Sequence, residues 1–130
     1  MGDGLTVAPA GYAPHCLRAA IVEAFMAMQL TATKDAAWRQ VREGVTLAPL
    51  RMERGKGTFL MRYEPGSRSP THTHPGGEEI YVVSGKGRLD DLPFDSGDFI
   101  FTPPGEGHTL HAETEVVIHV MLPEPVVVTE

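Results

Sequence analysis

Three histidines and one glutamate in the middle of the chain have the residue types and spacing of a metal site. His72 and His74 are two residues apart. In a β-strand both imidazoles would therefore point to one face, about 6–7 Å apart at ~3.3 Å per residue. The turn Pro75–Gly77 leads to Glu78, and His108 follows a second turn rich in Pro and Gly. Because imidazoles and carboxylates suit divalent transition metals, the pattern predicts one such ion on these four residues.

Four protein ligands would leave two positions of an octahedral ion for water, oxygen or a chelating substrate. A structural zinc site is normally closed by four tetrahedral ligands and is often rich in cysteine, whereas this chain has the single cysteine Cys16. A charge of +2 on the metal and −1 on Glu78 leaves the site near +1, which favours an anionic or enolisable small-molecule substrate. Fe, Mn, Ni, Cu and Zn all suit this ligand set, and the sequence does not choose among them.

Short strands must position these ligands. From Val45 onward, runs of branched and aromatic residues alternate with turns rich in Gly and Pro. We predict strands over 45–51, 57–64, 70–74, 79–84, 86–90, 98–102, 108–112 and 116–122. With no room for helical crossovers, they predict an all-β sandwich or barrel. Phe59, Met61 and Tyr63 alternate along one strand and are predicted to pack in the core. The last strand is apolar on both faces, which predicts a cover for its outer face and favours a homodimer.

The first 44 residues have a different composition from the rest. Residues 1–15 are rich in Gly, Pro and Ala and predict a loose arm. Residues 16–30 repeat apolar side chains at spacings of three and four, which predicts a short helix. Residues 31–43 are mostly polar and predict a connection. We therefore divide the chain into an N-terminal arm and helix at 1–44 and a β-barrel domain at 45–130.

Composition also bounds the partners and the compartment. The 130 residues carry a net charge of −6, and Lys and Arg are scattered singly, so we expect neither nucleic acid nor an anionic membrane as a partner. A single cysteine can form no internal disulfide and suits a reducing compartment, the cytoplasm by default. The longest apolar stretch, 17–30, is too short to span a bilayer.

Two spaced strings of residues resemble the two motifs of the cupin superfamily. The first string contains Gly66, His72, His74, Glu78 and Gly85, and the second contains Gly97, Pro103, Gly105 and His108. The resemblance covers about residues 45–122 and is strongest to the cupin domains of zinc-binding anti-sigma factors. It implies a double-stranded β-helix, or jelly-roll, barrel with the metal inside on His72, His74, Glu78 and His108. The chain departs from the family's second motif at Ala112, where cupins usually have Asn.

Glu79, Arg62 and His119 are three further residues with candidate roles at the site. Glu78 and Glu79 point to opposite faces of a strand, and the string that ends at Gly85 favours Glu78 as the ligand. Arg62 matches a pocket arginine of oxalate-type cupins that would clamp a carboxylate, but a surface arginine is an equal interpretation. His119 either lines the pocket as a base or packs in the core. Arg62 and His119 are therefore the two catalytic candidates.

Two classes of function fit such a site. The first is a metal-dependent dioxygenase acting on a small enol, diketone or carboxylate, with an isomerase or a decarboxylase as variants. The second is a sensor module that binds zinc or a small ligand without catalysis, as the likeness to anti-sigma factors implies. Residues 1–45 offer only His15 and Cys16 for a second zinc site, which disfavours an anti-sigma role. We therefore favour the enzyme, although this fold hosts many functions.

Overall fold

A computed structural model describes residues 27–130, in which Ala32–Glu130 forms one compact unit. The arm predicted over 1–15 and most of the helix predicted over 16–30 lie outside the described residues. The described part contains a short 3-10 helix at Thr33–Asp35 and twelve strands. The strands are β1 Arg39–Arg42, β2 Val45–Glu53, β3 Lys56–Tyr63, β4 His72–Thr73, β5 Glu78–Ser84, β6 Gly87–Leu89, β7 Leu92–Phe94, β8 Phe99–Thr102, β9 Gly107–His108, β10 Leu110–Ala112, β11 Val116–Leu122 and β12 Val127–Val128.

The strands form one six-stranded and two three-stranded antiparallel sheets. The order in the large sheet is β1-β2-β3-β11-β5-β8, and the small sheets are β10-β6-β7 and β12-β4-β9. Strand β11 lies inside the large sheet, where Ile118 pairs with Met61 on β3 and with Val82 on β5. The prediction of an all-β fold is confirmed. No helix in the range 27–130 is long and apolar enough to cross a membrane.

The pleat of the large sheet separates a buried face from an outer face. Along β11, Val116, Ile118, Val120 and Leu122 are buried, whereas the residues between them are half-buried. The buried set packs with Phe59, Tyr63, Ile80 and Val82 in the core. Burial of each such side chain stabilises the folded chain by about 1.5–3 kcal/mol. The outer face carries exposed apolar side chains, namely Tyr81, Val83, Phe99 and Phe101.

Three strands, β1, β7 and β12, lie outside the ranges predicted from the sequence. Strand β7 falls between the predicted strands 86–90 and 98–102 and is held by its pairing with β6. Strand β1 lies within the predicted connection 31–43, and its polar residues at the edge of the sheet are mostly exposed, so no alternation marks them. Strand β12 is only two residues long and is held by its pairing with β4. The domain boundary at residue 45 stays a prediction, although β1 already belongs to the large sheet.

Candidate metal centre

The four candidate ligands come from three strands and the turn between two of them. Strands β4 and β9 pair so that His72 lies directly opposite His108, where Cβ atoms are ~4.5–5.5 Å apart. Glu78 is the first residue of β5, which belongs to the large sheet. The turn before it ends at Gly77, whose φ of +81° favours glycine. The cluster therefore joins the large sheet to the small sheet β12-β4-β9.

Backbone hydrogen bonds hold the histidines in place. The His74 N–H donates to the Glu106 carbonyl at 3.0 Å, and the His74 carbonyl accepts from Gly105 N–H at 2.7 Å. On the other side of β4, Thr129 N–H donates to the Thr71 carbonyl at 2.9 Å. Backbone hydrogen bonds to neighbouring segments therefore hold the His72–His74 segment on both sides.

The side chains of the cluster converge on one point. One ligand atom from each of His72, His74, Glu78 and His108 lies within 4.8 Å of every other. Glu78 Oε2 is 3.1 Å from His74 Nε2, and Glu78 Oε1 is 3.2 Å from His108 Nε2. His74 and Glu78 are buried, with 0% and 6% of their surface exposed.

The tautomers of two histidines leave lone pairs facing the carboxylate. His72 Nδ1 lies 2.7 Å from the Pro70 carbonyl, and His74 Nδ1 lies 3.2 Å from the Glu106 carbonyl. Because a carbonyl oxygen only accepts, each Nδ1 carries the proton, and Nε2 of the neutral ring is bare. The 3.1 Å contact of His74 with Glu78 is then not a hydrogen bond. His74 Nε2 and Glu78 Oε1 are accordingly buried without a hydrogen-bond partner among the described residues. Such facing acceptors fit a bound cation.

The protonation states also suit a metal. Burial by itself raises the pKa of Glu78. Where His108 and His74 carry a second proton, their hydrogen bonds and positive charge outweigh burial and hold that pKa to about 2. Burial lowers the pKa of His72, and the neighbouring His74 and His108 lower it further against the hydrogen bond to Pro70. At neutral pH the carboxylate is charged and the His72 ring is neutral, which are the forms that bind metals.

A cavity of about 190 Å³ lies beside the cluster. His72, Glu78 and His108 form one part of its wall, and most of the remaining wall is hydrocarbon. Tyr63 and Ser69 are the other polar side chains of the wall, and Ser69 Oγ accepts a hydrogen bond from Leu110 N–H at 2.9 Å. Three of the four candidate ligands are therefore accessible to a small molecule.

The family described as the ChrR cupin-like domain matches residues 26–126. This chain belongs to that family. The cupin jelly-roll fold predicted from the two motif strings is thus confirmed.

Three known proteins are similar to this cupin. In the crystal structure of Rhodobacter sphaeroides SigE with the anti-sigma ChrR, the match has a TM-score of 0.61 at 24% identity and covers 74% of this chain and 50% of that chain. An acetylacetone dioxygenase from Acinetobacter johnsonii matches with a TM-score of 0.72 at 17% identity over 80% of this chain and 79% of its own. The DNA damage-repair/toleration protein DRT102 of Arabidopsis thaliana is 33% identical over 67 residues, 45% of this chain and 22% of that protein. The cupin thus spans half of the matched SigE–ChrR chain and about a fifth of DRT102.

Arg62 does not line the cavity of this cupin. Its neighbours on β3, Met61 and Tyr63, line the cavity, so the pleat turns Arg62 to the opposite face. There its guanidinium lies 4.1 Å from the centroid of the Trp38 ring, a cation–π contact. On that face the guanidinium does not reach the cavity, so the geometry gives no support to the carboxylate clamp predicted for Arg62.

His119 lies on the outer face of the large sheet as well. Its neighbours on β11, Ile118 and Val120, line the cavity, whereas His119 pairs with Leu60 on one side and with Tyr81 on the other. A side chain on this face cannot accept a proton from a molecule in the cavity. The structure thus brings the four metal candidates together and leaves both catalytic candidates away from them.

Tyr63 and Ser69 are the polar groups of the cavity that sequence reasoning missed. Tyr63 was predicted to pack in the core, and it does so, but its side chain also lines the cavity. Burial, together with the charge of Glu78, raises the pKa of Tyr63 far above its usual range, so the phenol is protonated. Alternation along β3 could have placed Tyr63 on the inner face, but nothing in the sequence marks Ser69.

Proposed function

We propose that this cupin is a metal-dependent, dioxygenase-type enzyme that acts on a small enol or diketone. The observation that carries the proposal is that His72, Glu78 and His108 line a cavity instead of being sealed in the core. A purely structural metal would need no such access. A bound redox metal such as iron would supply Lewis acidity and a template for substrate and oxygen.

The residues of the chain would orient and shield the substrate. The Nδ1–H groups of His72 and His74 donate to carbonyls, which fixes both rings with Nε2 towards the cluster. Glu78 supplies one negative charge, and the apolar wall excludes water from the substrate. The acetylacetone dioxygenase of similar fold supports a diketone as the substrate class. An isomerase or decarboxylase would use the same residues.

One observation favours a second candidate function. The family takes its description from ChrR, which is described as an anti-sigma factor in complex with SigE. A sensor that binds zinc or a small ligand and changes a protein contact is therefore the alternative. It predicts zinc as the metal and no consumption of oxygen.

Metal content distinguishes these candidates. We expect about one metal per chain in protein purified without chelator or affinity metal, and none in the variant with His72→Ala and His108→Ala. His111→Ala is the matched control, because His111 is not part of the cluster and should keep its metal. The measurements are elemental analysis and oxygen uptake with acetylacetone.

The identity of the metal and the oxygen uptake together distinguish the enzyme from the sensor. Iron, manganese, nickel or copper together with oxygen uptake supports the dioxygenase. Zinc alone without oxygen uptake supports the sensor. Equal metal in the wild type and in the double variant would overturn the assignment of the site.

We also propose that the cupin forms a homodimer in the cytoplasm, with no nucleic acid or membrane as a partner. The exposed apolar residues on the outer face of the large sheet, among them Phe99, Phe101 and Tyr81, support a covering copy. Phe99→Glu should convert the dimer into a monomer, because each copy would lose an apolar contact and would have to desolvate a carboxylate in the interface. Leu92→Glu on β7, which lies in another sheet, is the control that should stay dimeric. Light scattering measures the mass, and a monomeric wild type would contradict the proposal.

A further inference from the structure

The wall of the cavity limits the charge that a bound ligand can carry. Glu78 is the one carboxylate in the wall, and no Lys or Arg of residues 27–130 lines it. Away from the cluster the wall is built from side chains such as Leu47, Met61, Leu110 and Val120. A second charged group on a ligand would therefore lose its water without gaining a counter-charge, which is strongly unfavourable.

The polar groups outside the cluster are few and neutral. Ser69 Oγ accepts a hydrogen bond from Leu110 N–H, and its hydroxyl lies close enough to the Tyr63 phenol to lower the pKa of that phenol slightly against the effect of burial. Both groups are neutral hydroxyls, so they offer a ligand polar contacts and no charge. They match an oxygen atom of a ligand better than an ionised group.

The cavity opens along valine side chains. Val41, Val126 and Val128 line the cavity and are also exposed, so they form its mouth. The hydrocarbon surface thus continues from the cluster to solvent. Engineered cavities of ~150 Å³ bind benzene, so about 190 Å³ holds one ring or a short alkyl chain beside a small head.

We propose that the cavity binds a molecule with one oxygen-bearing, metal-binding head and an uncharged hydrocarbon remainder. The inference rests on the metal site of the proposed function and narrows its substrate class. It excludes dicarboxylates, sugars and amino acids, whose second charged or strongly polar end would meet apolar wall. A substrate whose carboxylate lies away from the metal is disfavoured for the same reason, since Arg62 lies on the other face of β3 and offers it no counter-charge.

Three β-diketones with the same head test this inference on zinc-loaded protein, in which no oxygen chemistry occurs. Isothermal titration calorimetry compares acetylacetone, 1-phenyl-1,3-butanedione and 4,6-dioxoheptanoate. Each buried methylene should tighten binding about fourfold, so we expect the phenyl compound to bind at least tenfold more tightly than acetylacetone. The carboxylate compound should bind at least tenfold more weakly than acetylacetone. Equal affinities of the phenyl and carboxylate compounds would overturn the inference.

Two lysine variants on β12 locate the bound ligand. Val128 lines the cavity at 56% exposure, whereas its neighbour Val127 does not line it and is 50% exposed. Val128→Lys puts a cation at the mouth and should tighten 4,6-dioxoheptanoate binding at least fivefold. Val127→Lys adds the same charge outside the cavity and should change nothing. An equal effect of both variants would show that the ligand is not bound in this cavity and would overturn the inference.

A failure of the inference can be distinguished from a failure of the proposed enzyme. Toluene has no metal-binding head and should still bind the metal-free protein, with chemical-shift changes in the methyl groups of Leu47, Leu110 and Val120. Toluene binding and diketone selectivity without oxygen uptake would overturn the enzyme and retain the ligand class. Oxygen uptake with the carboxylate compound at the rate seen with the phenyl compound would retain the enzyme and overturn the ligand class.

Discussion

Saturating zinc is expected to raise the free energy of unfolding of the wild-type cupin by about 4 kcal/mol when free zinc exceeds its Kd about a thousandfold. The reason is that the ligands converge only in the folded chain, so the free energy of metal binding adds to that of folding. The ion would tie β4 and β9 of a small sheet to β5 of the large sheet. Urea unfolding in zinc and in chelator measures the difference.

Glu78→Gln tests the role of the carboxylate in this stabilisation. The substitution keeps the size of the side chain and removes its charge, so most of the gain from zinc should be lost. Without metal, the new amide N–H can donate to the bare His74 Nε2 and offset part of the stabilisation that the charged carboxylate gives the wild type, so the metal-free variant should still fold. Glu79→Gln, on the opposite strand face, is the control and should keep the full gain. An undiminished gain in Glu78→Gln would contradict its role as a ligand.

Gly85→Ala is expected to lower the free energy of unfolding by about 2–5 kcal/mol. Gly85 has a φ of +89°, in the left-handed region that costs other residues ~1–2 kcal/mol. A Cβ atom would also overlap the carbonyl oxygen of Glu115 and lie 2.9 Å from Val116 Cα, at the start of β11. Because both contacts are backbone, relief requires shifting a central strand, and overpacking of this kind costs a further ~1–3 kcal/mol. The midpoint of urea unfolding measures the loss.

Gly97→Ala separates the two causes. Gly97 has nearly the same φ, +87°, but a Cβ atom there would meet nothing within 4 Å. It should cost only the conformational part, ~1–2 kcal/mol. Equal losses in the two variants would show that the close approach to Glu115 has no effect on stability.

The sequence by itself determined which residues could form the site. His72 and His74 had to share a face because side chains alternate along a strand. The turn at Pro75–Gly77 brought Glu78 back to the same point, and the second motif string added His108. Runs of branched residues between turns rich in Gly and Pro also indicated most of the strands, because the two-residue alternation of a strand involves neighbouring residues only.

Only the tertiary structure decided what surrounds the four ligands. Whether Arg62 and His119 face the cavity depends on which side of the large sheet closes over the cluster, and the alternation pattern is the same for either side. Strands β1 and β12 depend on a partner strand and not on their own residues. Ser69 and the valines at the mouth line the same cavity as Tyr63 and the cluster because segments far apart in the chain pack together. The chemistry of the cavity wall follows from that long-range packing, which no local pattern encodes.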